Sequence, residues 1–332
     1  MPDAVSLSRG ISPRIAVIIP CYNEELTVGT TVSGFRRALP DATVYVCDNN
    51  SSDRTADLAR EAGAEVMSEL RQGKGHAMRR MFADVDADLY VLVDGDATYD
   101  PDAAPAMLER VIAENLDFLN GARIAEAQAA YRAGHRFGNW ALTSLVQFIF
   151  GRQFSDMLSG YKIFSRRFVK SFPAMSHGFE IETELTVHAL GLRMPCAEVP
   201  TVYIERPAGS FSKLKTYRDG ARILRLIANL VRNERPMLFF GVAAAVLGVA
   251  AFVLSIPLFY TYVETGLVPR LPTAIAVVGL SIVAVLSLFC GLVLDMSTTS
   301  RHEMKRLAYL AIPPVRPLAP GRGGSRRDGE DA

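Results

Sequence analysis

Cysteine is scarce and unpatterned in this chain: Cys21, Cys47, Cys196 and Cys290 include no CxxC spacing. That argues against a zinc site or a disulfide framework and for free buried thiols in a reducing compartment. An excess of charge of either sign is also missing, with 36 Lys and Arg against 35 Asp and Glu, so nothing marks a bulk nucleic-acid binder. Met1 to Pro13 contain no long apolar core, and no cleaved signal peptide is expected. No internal repeat is visible. A phosphate loop is lacking too. Gly73-Lys74-Gly75 invites the comparison, but a Walker A needs Gly at 68 and Ser or Thr at 75, where Ser68 and Gly75 stand, so ordinary P-loop hydrolysis is not expected.

What the chain does have is two long apolar runs. Met237 to Val263 and Leu271 to Leu294 contain no charged residue, and at about 1.5 Å per residue each can cross a hydrocarbon core about 30 Å thick. A buried core hairpin is the alternative, and it would need another apolar layer around both helices. Arg222, Arg225, Arg232 and Arg235 precede the first run, and Arg301, Lys305 and Arg306 follow the second. The positive-inside rule therefore predicts an integral membrane protein with two transmembrane helices and both termini cytoplasmic. Gly241, Ala243 to Ala245 and Gly248 permit close helix packing, and with it a homo-oligomer.

Upstream, short Val/Ile-rich runs alternate with helical patterns. Strands are expected at Ile15–Ile19, Thr43–Asp48, Ala64–Met67, Leu89–Asp94, Asp117–Asn120 and Ala197–Ile204, and helices at Glu25–Ala38, Arg54–Ala62, Gly75–Asp84, Pro101–Glu114, Ala129–Phe150 and Glu180–Leu190. This alternation implies an α/β fold of βαβ crossovers, with a mostly parallel, Rossmann-like sheet flanked by helices. Asp53 is placed to cap the helix opening at Arg54. Between Lys213 and Arg235, Leu214, Tyr217, Ala221, Leu224, Ile227 and Val231 recur at helical spacing among basic residues. That pattern suits an amphipathic helix in the bilayer interface, with a helix packed on the domain as the alternative. The expected organisation is a flexible N-terminus (1–13), a cytoplasmic catalytic domain (14–212), the juxtamembrane helix (213–235), a two-helix anchor (236–296), and a basic segment (297–332) whose Pro-, Gly- and Arg-rich tail is expected to be disordered from Ile312.

The chemistry gathers at strand ends. Asp94-Gly95-Asp96 closes an apolar strand, and two hard carboxylates without His or Cys neighbours suit Mg2+ or Mn2+ shared with substrate phosphates. Alternation predicts that both carboxylates share one face, and Thr98 could add to the shell. Pro20-Cys21-Tyr22-Asn23-Glu24-Glu25 follows the first strand, and Asp48 ends the second, where it could accept hydrogen bonds from a ribose or a base. His76 reads as a helix-start residue. Glu180, Glu182 and Glu184 either shape a sugar site or simply complement a helix N-terminus.

Taken in order, Pro20-x-Tyr22-Asn23-Glu24-Glu25, Asp48-Asn-Asn-Ser-Ser-Asp53-x-Thr55, Gly73-Lys74-Gly75, Asp94-Gly-Asp96, Gly121-Ala-Arg123, Ser159-Gly160-Tyr161 and Arg206-x-x-Gly209-Ser210-x-Ser212-Lys213-Leu214 make the chain resemble family 2 glycosyltransferases of the GT-A fold, in their polyprenyl-phosphate (dolichol-phosphate mannose synthase-like) branch. The resemblance covers about Arg14 to Arg235. It implies inverting transfer of one sugar from a nucleotide sugar, a UDP-hexose or N-acetylhexosamine or GDP-mannose, to a polyprenyl phosphate at the cytoplasmic membrane face.

By the same resemblance, Pro20, Tyr22, Asn23, Glu24 and Asp48 hold the nucleoside, Lys74 lies over the nucleotide, and Asp94 and Asp96 hold the metal and diphosphate. Arg206 and Lys213 match the family's late basic motif over the phosphates. Arg123 and Arg136, with Ser159, fall on the acceptor-phosphate side, and Arg132 could replace Arg136. Two rivals remain. One is a membrane glycosyltransferase acting on another lipid or on a polysaccharide, although the Gln-x-x-Arg-Trp motif of processive relatives is missing around the single Trp140. The other is a catalytically silent nucleotide-sugar-binding membrane protein, against which the intact aspartates speak.

Overall fold

The computed structural model describes residues 13–125, 143–144, 146–148, 151, 153–178, 180–204, 225 and 228–315. They fall into two compact units, one built from 13–125, 153–204 and 308–315 and the other centred on 228–307.

In the first unit, β1 (Ile15–Cys21), β2 (Thr43–Asp48), β3 (Glu65–Ser68) and β4 (Leu89–Leu92) alternate with α1 (Val28–Ala38), α2 (Thr55–Glu61) and α3 (Lys74–Asp84). A 3-10 turn (Pro101–Ala103) and α4 (Ala104–Ala113) lead to β5 (Phe118–Ala125). Then come β6 (Lys162–Ser165), α5 (Arg166–Ser171), α6 (Ile181–Gly191) and β7 (Cys196–Tyr203). The sheet order is β3-β2-β1-β4-β6-β5-β7. All neighbouring pairs are parallel except those of β6, which runs antiparallel to β4 and β5.

The central strands are apolar on both faces because both faces are covered by helices. On one side Val17, Ile19, Val91 and Ile163 meet Val28, Val32 and Phe35 of α1 and Met107 and Leu108 of α4. On the other, Phe164 stacks on Phe168 at 4.7 Å and meets Phe82 edge-on. Full burial of a ring such as Phe168 stabilises the fold by about 1.5–3 kcal/mol.

Several expected boundaries move, each for a local reason. α1 begins at Val28 rather than Glu25, because the backbone N–H groups of Thr27 and Val28 both turn back onto the Glu24 carbonyl. The helix expected over Pro101–Glu114 opens as a 3-10 turn, where Asp100 accepts the Asp102 N–H. β5 continues past Asn120 to Ala125 by pairing with β7. β6 and α5 were not expected at all. β6 opens with a buried lysine, which breaks the apolar run, and Ser165 both ends it and caps α5 by accepting the Phe168 N–H.

Residues 308–315 pack on the first unit. Tyr309 Oη donates to Asp117 Oδ2 at 2.8 Å, the Arg167 guanidinium lies 4.7 Å from the Tyr309 ring, and Val315 packs against the core. The tail expected to be disordered from Ile312 is thus described as far as Val315, and its remainder lies outside the described residues.

The second unit contains α7 (Pro236–Thr265) and α8 (Leu271–Leu310), with mean hydropathies of 2.6 and 2.7 in their most apolar windows. Both are long and apolar enough to cross a membrane. Their large side chains are mostly bare, Phe252 and Phe259 among them, and among the described residues no protein layer of the kind a core hairpin needs surrounds them. Antiparallel packing joins their far ends: Gly291 lies against Phe240, Thr298 Oγ1 donates to the Asn233 carbonyl, and His302 meets Glu234 at 3.0 Å. Residues 225 and 228–234 are helical, while 213–224 and 226–227 of the expected 213–235 helix, like most of Ala129–Phe150, lie outside the described residues.

Candidate active site

β1, β2 and β4 end at one sheet edge, where Cys21 registers with Asp48 and Ile18 with Leu92. The loops leaving these ends are stitched together. Asn23, at φ 52°, receives the Ser52 N–H on its side chain and gives its own N–H to Ser51 Oγ. The Glu24 N–H goes to Thr55 Oγ1, whose hydroxyl donates to Asp53. Asp53 also accepts the Thr55 N–H, but α2 opens at Thr55 rather than Arg54, so Arg54 holds the N-cap position and Asp53 bonds the helix start from one residue before it. Asp48 Oδ1 accepts the Ser51 N–H. Asn49, overlooked in the sequence, is buried and clamps three points: its amide donates to the Glu69 and Arg71 carbonyls, and its oxygen accepts the Gly73 N–H.

That clamp positions Lys74. The Lys74 Nζ lies 2.5 Å from Asp94 Oδ1 and also bonds Glu182 Oε1. Lys74 and Glu182 side chains are 8% and 7% exposed, whereas Asp94 keeps 28%. Burial alone would lower the Lys74 pKa, but Asp94 and Glu182 outweigh it and the ammonium is held above its usual range. Burial raises Glu182, with Lys74 opposing and Asp94 reinforcing the shift. The glycines flanking Lys74 permit a close approach: a Cβ on Gly73 would lie 2.2 Å from the His177 carbonyl oxygen, and one on Gly75 2.2 Å from that of Ser176.

The two aspartates differ in setting. β4 ends at Leu92, so strand alternation does not decide where Asp94 and Asp96 point; the following turn does. Asp94 Oδ2 faces Gly160, whose N–H donates to Tyr99 Oη at 2.7 Å. Asp96 is buried and accepts the Thr98 hydroxyl at 2.6 Å. Among the described residues no group of three or more His, Cys, Asp and Glu side chains could cage a metal ion. Asp94, partly open at the rim, and the buried Asp96 instead offer hard oxygen donors of the kind that suit a cation taking its remaining ligands from substrate phosphates and water.

Further along the rim, Arg123 grips Asp156 in a fork, Nε to Oδ2 at 2.7 Å and Nη2 to Oδ1 at 2.8 Å. Burial would raise Asp156, but Arg123 outweighs it and holds the carboxyl below the usual range. Lys162 is fully buried, gives its ammonium to Asn120 Oδ1 at 2.6 Å, and is pulled by burial down to about 8. Neither Lys162 nor Asp156 was singled out from the sequence: Lys162 lies just past the Ser159-Gly160-Tyr161 motif and Asp156 just before it, each a lone charge without a recognisable partner nearby in the chain. Ser159 is fully buried and its Oγ accepts the Tyr161 N–H, which places it in the turn that presents Gly160. Of the carboxylates 180–184, Glu184 folds the preceding loop by accepting the Met175 and Ser176 N–H groups, and Glu182 meets Lys74. His76 is the third residue of α3 and stacks on His177. Arg132, Arg136, Arg206 and Lys213 lie outside the described residues.

The family model for glycosyl transferase family 2 matches residues 16–172. Glycosyltransferase AglJ of Haloferax volcanii is 31% identical over 299 residues, 89% of this chain and 98% of that one. A dolichyl-phosphate hexose transferase of the same organism is 29% identical over 221 residues, covering 67% of this chain and 95% of its own. Among solved structures, glucosyl-3-phosphoglycerate synthase from Mycobacterium tuberculosis with Mn2+, UDP-glucose and phosphoglyceric acid superposes with a TM-score of 0.52 at 24% identity, covering 66% of this chain and 79% of that one. That likeness speaks for the GT-A fold. With a relative of this identity matched over nearly its whole length, and the family's domain seated on the sheet that carries Asp94, the chain is a glycosyltransferase and belongs to glycosyl transferase family 2.

Proposed function

We propose that the protein transfers a single sugar from a nucleotide sugar to a polyprenyl phosphate at the cytoplasmic membrane face, inverting the anomeric centre. The observation that carries the reading is the Asp94-Gly95-Asp96 turn at the sheet edge with the Lys74 ammonium 2.5 Å from Asp94, a mixed-charge rim suited to a diphosphate. The lipid acceptor is supported by two bare apolar helices in the same chain and by the dolichyl-phosphate hexose transferase among its relatives.

In this reading Pro20, Tyr22, Asn23, Glu24 and Asp48 hold the nucleoside. Lys74, with Arg206 and Lys213, meets the diphosphate, and Arg123 and Arg136 receive the acceptor phosphate. An acceptor phosphate oxygen attacks the anomeric carbon as the bond to the diphosphate oxygen breaks. A phosphate monoester, with a second pKa near about 6, is already largely anionic at neutral pH and needs no strong base. The leaving group needs charge neutralisation, which Lys74 supplies directly. Bound Mg2+ or Mn2+, held by Asp94 and Asp96, adds further neutralisation there. A guanidinium suits the acceptor because it can match two phosphate oxygens at once, and Asp156, which holds the Nε and Nη2 edge of Arg123, orients the group so that its other edge can meet the phosphate. The basic flanks of α7 and α8 put both termini in the cytoplasm.

The test is full-length protein in mild detergent with undecaprenyl phosphate and a panel of UDP-glucose, UDP-N-acetylglucosamine and GDP-mannose. One donor should give an acid-labile lipid carrying one sugar by mass, and Asp96→Asn should give none. A polymeric product, or turnover in Asp96→Asn equal to the wild type, would refute the reading.

A further inference from the structure

The sequence leaves Glu182 with two roles, sugar contact or helix charge, and although it stands in the first turn of α6, its side chain makes a contact that neither role foresees. Its carboxylate is spent on Lys74, 108 residues earlier in the chain, and both side chains are nearly buried. The meeting is built into the backbone. The Gly75 N–H donates to the His177 carbonyl at 3.1 Å, and Gly73 and Gly75 leave no room for a Cβ against residues 176–177. Glu184 folds residues 175–176, so the start of α6 is locked to the Lys74 loop from both sides.

Charge then poses a problem. Lys74 sits on Asp94, one of the two carboxylates that the proposed function assigns to a divalent cation. An ammonium and a dication about 4 Å apart at an effective dielectric near 20 repel by several kcal/mol. With Asp94 as its only counter-ion, the buried ammonium would hold that carboxylate in competition with the metal. Glu182 gives it a second one.

We propose that Glu182 is a positioning residue that takes over the Lys74 ammonium when a divalent cation reaches Asp94, keeping Lys74 in place for the donor diphosphate. The inference rests on the donor-site reading above and goes beyond it by assigning how the metal and the lysine share one carboxylate.

The experiment is a double-mutant cycle on the full-length protein, reading Mn2+ affinity from the loss of the free-ion paramagnetic resonance signal with UDP present, or GDP if the wild type prefers it. Glu182→Gln should weaken Mn2+ binding about tenfold in the Lys74 background. In a Lys74→Met background the same substitution should cost at least fivefold less, because no ammonium is left to compete. Equal losses in both backgrounds would mean that Glu182 acts by its own charge or by general packing, and would overturn the inference.

Should Lys74→Met fail to fold, Glu182→Asp keeps the charge but withdraws it by one methylene. It should weaken Mn2+ binding about threefold and lower kcat while donor KM stays within twofold, and wild-type values of both would overturn the inference. If the wild type binds no Mn2+ with either nucleotide, or Asp96→Asn binds it equally well, the donor-site reading fails and takes the inference with it. Binding lost in Asp96→Asn but uncoupled from Lys74 would sink the inference alone.

Discussion

A Cβ on Gly160 would lie 2.1 Å from Oδ2 of Asp94. The turn that carries Gly160 comes from a segment well after Asp94 in the chain, and the Tyr99 hydroxyl fixes its approach by accepting the Gly160 N–H. The carboxylate therefore has a wall on one side and the Lys74 ammonium on the other.

Gly160→Ala follows directly. The clashing atoms belong to the end of a side chain that can rotate away, so the fold should survive with a loss of about 1–3 kcal/mol, typical of overpacking. Transfer should fall by about 100-fold, because displacing a reacting-site group by about 1 Å costs on that order. Comparing kcat with the melting temperature decides it; activity and stability falling in proportion would count against the wall.

The Arg123–Asp156 fork predicts a pH dependence. Asp156 titrates below its unfolded value, so its contribution to stability is complete above about pH 4 and is lost as pH falls through the folded value. Arg123→Met strands a buried carboxylate and should destabilise by about 3 kcal/mol at pH 7. That deficit should shrink as pH falls to 3.5, because without Arg123 the buried Asp156 of the variant takes up a proton more readily than that of the wild type and no longer needs the cation. Thermal unfolding of both proteins at the two pH values checks it, a constant deficit being the refuting result.

Lys162 has the opposite sign. Burial pulls its pKa down to about 8 from the ordinary lysine value of 10.5, so the folded state binds fewer protons than the unfolded one between those values. The cost of burying Lys162 therefore fades as pH rises through 8. The melting temperature of Lys162→Met minus that of the wild type should decrease between pH 7 and pH 9.5. A difference independent of pH would show that Lys162 stays charged throughout.

Tyr309→Phe removes one hydrogen bond to Asp117, while Ser165 and Arg167 remain bonded to that carboxylate. The expected cost is about 1 kcal/mol. Tyr309→Ala also removes the ring beneath Arg167 and should cost about 1 kcal/mol more. Donor binding, measured by nucleotide titration, should stay unchanged in both, and a lost donor site would refute a purely structural role.

Much of this was legible because it is local. Leu89 to Leu92 is apolar at every position, and that reads as a doubly covered strand in any context. The Asp94-Gly95-Asp96 turn was found because it follows such a strand. β6 was missed because Lys162 stands at its start, and a lysine reads as surface until Asn120 and Met157 are seen to satisfy it. Ser159 was read as an anion contact from its motif alone, whereas its burial assigns it to the turn. The shared face of Asp94 and Asp96 was argued from strand alternation, which stops at Leu92.

From its sequence alone this chain determined an alternating α/β domain, two helices able to span a membrane with basic flanks, and a carboxylate pair beyond a buried strand. Hydrophobic period, chain length against bilayer thickness and charge are properties of short windows, so they need no partner to be read. Tertiary structure alone decided that Lys74 divides itself between Asp94 and Glu182, that Gly160 walls Asp94, and that Asp156 holds Arg123. These contacts join residues far apart in the chain, and only the closing of loops around a common sheet edge makes one residue's charge the other's environment.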